Sequence, residues 1–80
     1  MNVLVHNYAA LKDYFASEME VTIHPGGCVA DLVGVLIEKN PSSEKLLHKC
    51  RVAVNEHITN QNHRLSDRDM VDILPPSSGG

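Results

Sequence analysis

The sequence is short of several things. It has no tryptophan, two tyrosines and one phenylalanine among 80 residues. Its formal charge is −3, and it contains neither a basic run nor a basic patch interleaved with aromatics, which argues against a nucleic-acid partner. No apolar stretch approaches the roughly 18 residues that a membrane span needs, so no membrane association is expected. The opening "MNVLVHNYAA" lacks the basic start and long apolar segment of an export signal. The two cysteines, Cys28 and Cys50, are far apart and form no CxxC pair. Together these features predict reduced thiols in a cytoplasmic protein.

A chain of this length holds one small domain, with an ordinary apolar content of 42%. It can build a single core but not an enclosed substrate chamber. Residues 2–6, "NVLVH", alternate like a strand, with Val3 and Val5 on one face and Leu4 and His6 on the other. Asn7 suits a helix N-cap, and Tyr8, Leu11 and Phe15 then fall on one helical stripe. Residues 20–24, "EVTIH", alternate again and stop at Pro25-Gly26-Gly27. Val29, Leu32, Val33, Leu36 and Ile37 repeat at helical spacing, with Asp31 and Lys39 placed to complement the helix dipole. Asn40-Pro41 ends that helix. A short helical piece is expected over 43–49, a third strand over 51–55 and a last strand over 70–74.

The first and last strands have the densest apolar content, so they are expected side by side and parallel in the middle of the sheet. The long helix then crosses one face. This is an α+β fold, a β-grasp with a mixed sheet. It places a domain at 1–74 and a flexible tail at 75–80.

That tail, "PPSSGG", follows the last strand without a linker. Pro75 and Pro76 cannot donate ladder hydrogen bonds and favour an extended path away from the body. Six residues reach roughly 20 Å. Gly79 and Gly80 have no side chain, so the tip can thread a narrow slot. A carboxylate is a poor electrophile. An enzyme using ATP can convert it to an acyl-adenylate, and a sulfur nucleophile can then displace AMP to leave a thiocarboxylate. An amine in its place would give an amide. The carrier supplies the acyl end, and other proteins supply the catalysis.

At this point the sequence resembles a known family, the small sulfur-carrying subunit of molybdopterin synthase (MoaD/ThiS family, ubiquitin-like β-grasp). The stretches "CVADLVGVLIEKNP", "RVAVNEH" and "LSDRDMVDILPPSSGG" carry the likeness, with Pro-Pro before the last four residues its more specific part. The resemblance implies that Gly80 is adenylated by an E1-like activating enzyme and converted to a thiocarboxylate. The tail then enters the large synthase subunit and gives sulfur to cyclic pyranopterin monophosphate, making molybdopterin. It also implies two small subunits flanking a dimer of large ones, a heterotetramer. By position, Gly79 and Gly80 form the functional tip and Pro75-Pro76 the neck. The chain itself is expected to bind no cofactor, ATP being used by the activating enzyme. Two other readings share this chemistry, a thiamine-pathway sulfur carrier and a ubiquitin-like modifier joined through Gly80 to lysines. A small adaptor with an idle tail is the fourth.

Three positions depart from the family pattern. Arg68 stands where Gly is common in the turn before the last strand, Cys28 where Ser or Thr starts the long helix, and Ser77 where an aliphatic residue is common. The five histidines, His6, His24, His48, His57 and His63, match no metal-ligand spacing, and no metal site is expected. Cys28 and Cys50 read as small apolar fillers and Asp67 and Asp69 as turn residues. Leu4 and Leu74, on the face opposite the helix, are expected to dock on the large subunit and the activating enzyme.

Overall fold

The computed structural model describes residues 1–76. Strand β1, Asn2–Asn7, buries Val3, Val5 and Asn7 on one face. It pairs antiparallel with β2, Glu18–Thr22, and parallel with β5, Met70–Leu74. On the far side of β5 lie β3, Arg51–Val54, and then β4, His57–Thr59, both antiparallel to their neighbours. The order β2-β1-β5-β3-β4 puts β5 at the centre, with β1 its parallel partner. This mixed sheet with a helix across it is a ubiquitin-like β-grasp, as the apolar density of the two strands predicts.

The helix α1, Val29–Lys39, buries Val29, Leu32 and Leu36 against the inward residues of the sheet. Val33, Val35 and Ile37 flank them half-buried. Each fully buried Leu contributes about 1.5–3 kcal/mol by leaving water. Asn40 follows the helix, its amide donating to the Leu36 carbonyl at 3.0 Å and its side-chain oxygen accepting from the Ser42 amide at 3.2 Å. A 3₁₀ turn at Pro41–Ser43 leads into α2, Glu44–Leu47, which buries Leu47.

Three local expectations are corrected. Residues 8–15 form no α-helix but a 3₁₀ turn over Ala9–Asp13, entered through Ala9 at φ 52°. Asn7 is no cap: it closes β1, buried, with its side-chain nitrogen donating to the Ala16 carbonyl at 2.9 Å. The second strand spans Glu18–Thr22, two residues earlier than the alternation of 20–24 suggests. Ile23 is still buried, and its amide bonds to the Met1 carbonyl just beyond the ladder. Strand β4 is an addition: it lies within residues 56–64, a polar segment whose only aliphatic residue is Ile58 and whose pattern predicts no strand.

Candidate functional site: the tail root and the open sheet face

The tail leaves from the middle of the sheet. β5 is hydrogen-bonded on both sides and ends at Leu74. Across from Leu74 in register stands Arg51, and a shallow groove lined by Lys49, Arg51, Leu74, Pro75 and Pro76 marks where the chain departs. Gly79 and Gly80, the expected tip, lie outside the described residues.

The side-chain parity read from the sequence is the observed one. Val3, Val5, Val71 and Ile73 face the core, and Leu4, His6, Asp72 and Leu74 face away from it, all four half-buried. Leu4 and Leu74 occupy the two central strands but are not neighbours. Leu4 pairs with Met70, and Leu74 lies four residues further along β5, about 13 Å away. Between them runs a polar bar. His6 Nδ1 is 3.0 Å from Asp72 Oδ1, and His6 Nε2 is 2.9 Å from Glu18 Oε2. The bar links β2, β1 and β5 through side chains as well as backbone. The ring of Tyr8 meets that of His6 edge-on at 6.5 Å, and its hydroxyl lies 3.5 Å from Asp72 Oδ1. The negative charge of Asp72 is the main reason the Tyr8 phenol is pushed above its ordinary value, with burial adding to it.

Sequence reasoning missed three members of this face. Tyr8, Ile58 and Met70 are the exposed large apolar residues among those described, at 42%, 60% and 47%. Met70 pairs with Leu4, and Ile58 pairs with Ala53, which in turn pairs with Asp72. Met70 shares parity with Asp72 and Leu74, so its place was readable from the strand. Ile58 carried no such signal, because its strand has no alternation. An apolar surface interrupted by a polar bar suits a protein partner.

The residues set aside behave as structural parts. Asp67 Oδ1 accepts from the Asn2 amide at 2.8 Å, and Asp69 Oδ2 closes the turn by accepting from the Ser66 amide at 2.7 Å. Cys28 is the N-cap of α1, and its amide donates to Asp31 Oδ2 at 2.8 Å. Cys50 donates its thiol to the Leu46 carbonyl at 3.2 Å, and burial pushes that thiol up, away from the reactive thiolate. Both cysteines are free. Among the described residues, no group of three or more His, Cys, Asp or Glu is arranged to hold a metal ion, and no helix is long and apolar enough to cross a membrane.

A five-stranded mixed sheet, one long helix and a central last strand that runs into the tail define the ubiquitin-like β-grasp class. Within it, the ThiS family model matches residues 6–80, and the chain belongs to that family, a ubiquitin-like sulfur carrier of the MoaD/ThiS type. Among solved structures it is similar to a putative molybdopterin converting factor, subunit 1, from Pyrococcus furiosus. That match has 21% identity and a TM-score of 0.87, covering 96% of this chain and 99% of the other. The chain is similar to SAMP1 from Haloferax volcanii at 18% identity and a TM-score of 0.88, over 100% of both chains. A complex of subunits 1 and 2 of molybdopterin-converting factor from Helicobacter pylori matches at 25% identity and a TM-score of 0.73, over 100% of both chains. No curated protein matches the sequence.

Proposed function

We propose that the protein is the sulfur carrier subunit of a molybdopterin synthase, working in the cytoplasm. The carboxyl group of Gly80 attacks the α-phosphate of ATP on an E1-like enzyme, releasing pyrophosphate and forming an acyl-adenylate. Hydrosulfide displaces AMP and leaves the thiocarboxylate directly. A donor persulfide would instead leave an acyl disulfide, whose S–S bond a second thiol reduces to the thiocarboxylate, forming a disulfide with the donor. The loaded tail then enters the large synthase subunit and gives its sulfur to cyclic pyranopterin monophosphate. The observation that carries this reading is the central position of β5, which runs through Leu74 directly into Pro75-Pro76 within a family match that extends to Gly80. The molybdopterin branch is favoured by the full-length likeness to the Helicobacter pylori molybdopterin-converting factor, a complex of subunits 1 and 2.

In this scheme the domain, 1–74, is a handle. The neck, Pro75 and Pro76, holds the tip away from it, and Gly79 lets the backbone pass a narrow slot. Leu4 and Leu74, with Met70 and Tyr8, supply the apolar contact that positions the handle. The chain contributes an acyl group and a docking face, and the catalytic side chains belong to its partners.

The likeness to SAMP1 and to small archaeal modifier protein 1 of Haloferax volcanii favours a second reading, a protein modifier joined through Gly80 to lysine amines. A thiamine-pathway carrier shares the same loading steps. The test is reconstitution. The thiocarboxylated chain, mixed with purified large subunit and cyclic pyranopterin monophosphate, is expected to yield molybdopterin. Loaded chain that produces none, but appears in isopeptide linkage on cellular proteins, would assign it to the modifiers.

A further inference from the structure

Beside the polar bar the open face is concave. A cleft is lined by His6, Tyr8, Asn55, Glu56, Met70 and Asp72. Its floor is the Asp72 carboxylate, 24% exposed, on the central strand. Both recorded contacts of that carboxylate, from His6 and from the Tyr8 hydroxyl, fall on Oδ1. Among the described residues Oδ2 has no hydrogen-bond partner, so one acceptor lobe is left over. The lining also includes two exposed residues with apolar surface, Tyr8 and Met70. Asn55 is a fixed wall, its side-chain nitrogen donating to Asp69 at 3.0 Å and its oxygen accepting from the Met70 amide at 3.0 Å. Glu56, exposed, adds a second carboxylate, and the lining includes no Lys or Arg.

We propose that this cleft takes an arginine side chain of a partner protein. A guanidinium is planar, spreads its charge over five donors and stacks on aromatic faces, whereas a lysine ammonium is a compact, strongly hydrated point charge. Here it can lie against the Tyr8 ring, whose face attracts a cation, while donating to Asp72 Oδ2 and to Glu56. The Tyr8 phenol, pushed up chiefly by the Asp72 charge, indicates that this field is felt at the ring. That the arginine belongs to a protein receiving the tail rests on the proposed function; the preference of the cleft for a guanidinium does not.

The test is an NMR titration of the full chain with N-acetyl-L-arginine amide as the probe and N-acetyl-L-norleucine amide as the uncharged control. The arginine probe is expected to shift the amides of Tyr8, Asn55, Glu56 and Asp72, and the control is expected not to. Asp72→Asn is expected to abolish these shifts. Glu56→Gln, on an exposed turn where folding is not at stake, is expected to weaken probe binding about two- to fivefold. Absent or scattered shifts, equal shifts with the control, or binding unchanged in Glu56→Gln would overturn the proposal. None of these outcomes depends on whether Gly80 can be loaded with sulfur, so the two readings fail separately.

Discussion

The amide of Arg68 donates to the carbonyl of Asn2 at 2.7 Å, while the Asn2 amide donates to the Asp67 carboxylate at 2.8 Å. This reciprocal pair ties the turn before β5 to the start of β1 and so fixes the parallel pairing at the centre of the sheet. It requires Arg68 at φ 71°, in the left-handed region that favours Gly. The Arg68 side chain is almost fully exposed and only 4.0 Å from Asp67, an ion pair of little worth. Arg68→Gly keeps the backbone bond and removes the strain. It is expected to stabilise the domain by about 1 kcal/mol, raising the melting temperature by about 4–8 °C. A calorimetric scan showing a lower melting temperature would contradict this.

Asp31 gives the fold an acid-sensitive link. The Cys28 amide is the main cause holding its carboxyl below the ordinary carboxylate range, followed by the Cys28 thiol; partial burial opposes them and the charge of His24 assists. A depressed carboxyl stabilises the fold above its unfolded-state value, about pH 4, and loses that contribution as the pH falls through its folded value. Urea midpoints of the wild type and Asp31→Asn are therefore expected to differ most near neutral pH and to converge in acid. A gap that is constant with pH would count against it. At the same cap, Cys28→Ser supplies a better oxygen acceptor and is expected to add about 0.5–1 kcal/mol.

Leu36 is fully buried between α1 and the sheet. Leu36→Ala removes its contacts and leaves a cavity that a rigid sheet fills poorly, at a cost of about 2–5 kcal/mol. Denaturant unfolding at neutral pH is expected to show a midpoint lowered accordingly, and a loss under 1 kcal/mol would mean that the helix is not seated as described.

Leu74→Glu puts a charge at the root of the tail without touching the core face. We expect weaker binding to both the large subunit and the activating enzyme, with an unchanged melting temperature. Leu4→Glu, about 13 Å away by strand spacing, is expected to act independently of it. Titration calorimetry that finds both variants binding like wild type would remove these two residues from the docking face.

Much of this architecture was legible in the sequence, because the signals were strong where burial is two-sided or strictly periodic. Val3/Val5 and Val71/Ile73 gave the parity of the central strands, and Val29, Leu32 and Leu36 gave the helix. The rest depended on tertiary contacts that leave little local trace. The stripe of Tyr8, Leu11 and Phe15 mimics a helix, but the chain turns at Ala9 and only Leu11 is fully buried. Strand β4 carries one exposed Ile between His57 and Thr59, and its hairpin turn, Asn55-Glu56, takes two positive φ angles without the usual Gly. The docking face was half-visible: Leu4 and Leu74 follow from parity, whereas the polar bar of Glu18, His6 and Asp72 appears only once register places three strands together.

The most direct test of the account is intact mass spectrometry of the chain after incubation with ATP, an E1-like activating enzyme and a sulfur donor. A mass increase equal to the exchange of one oxygen for sulfur is expected, located at Gly80 by fragmentation and absent when Gly80 is deleted. An unchanged mass in a reaction that loads a known carrier, or sulfur found on Cys28 or Cys50 instead, would contradict it.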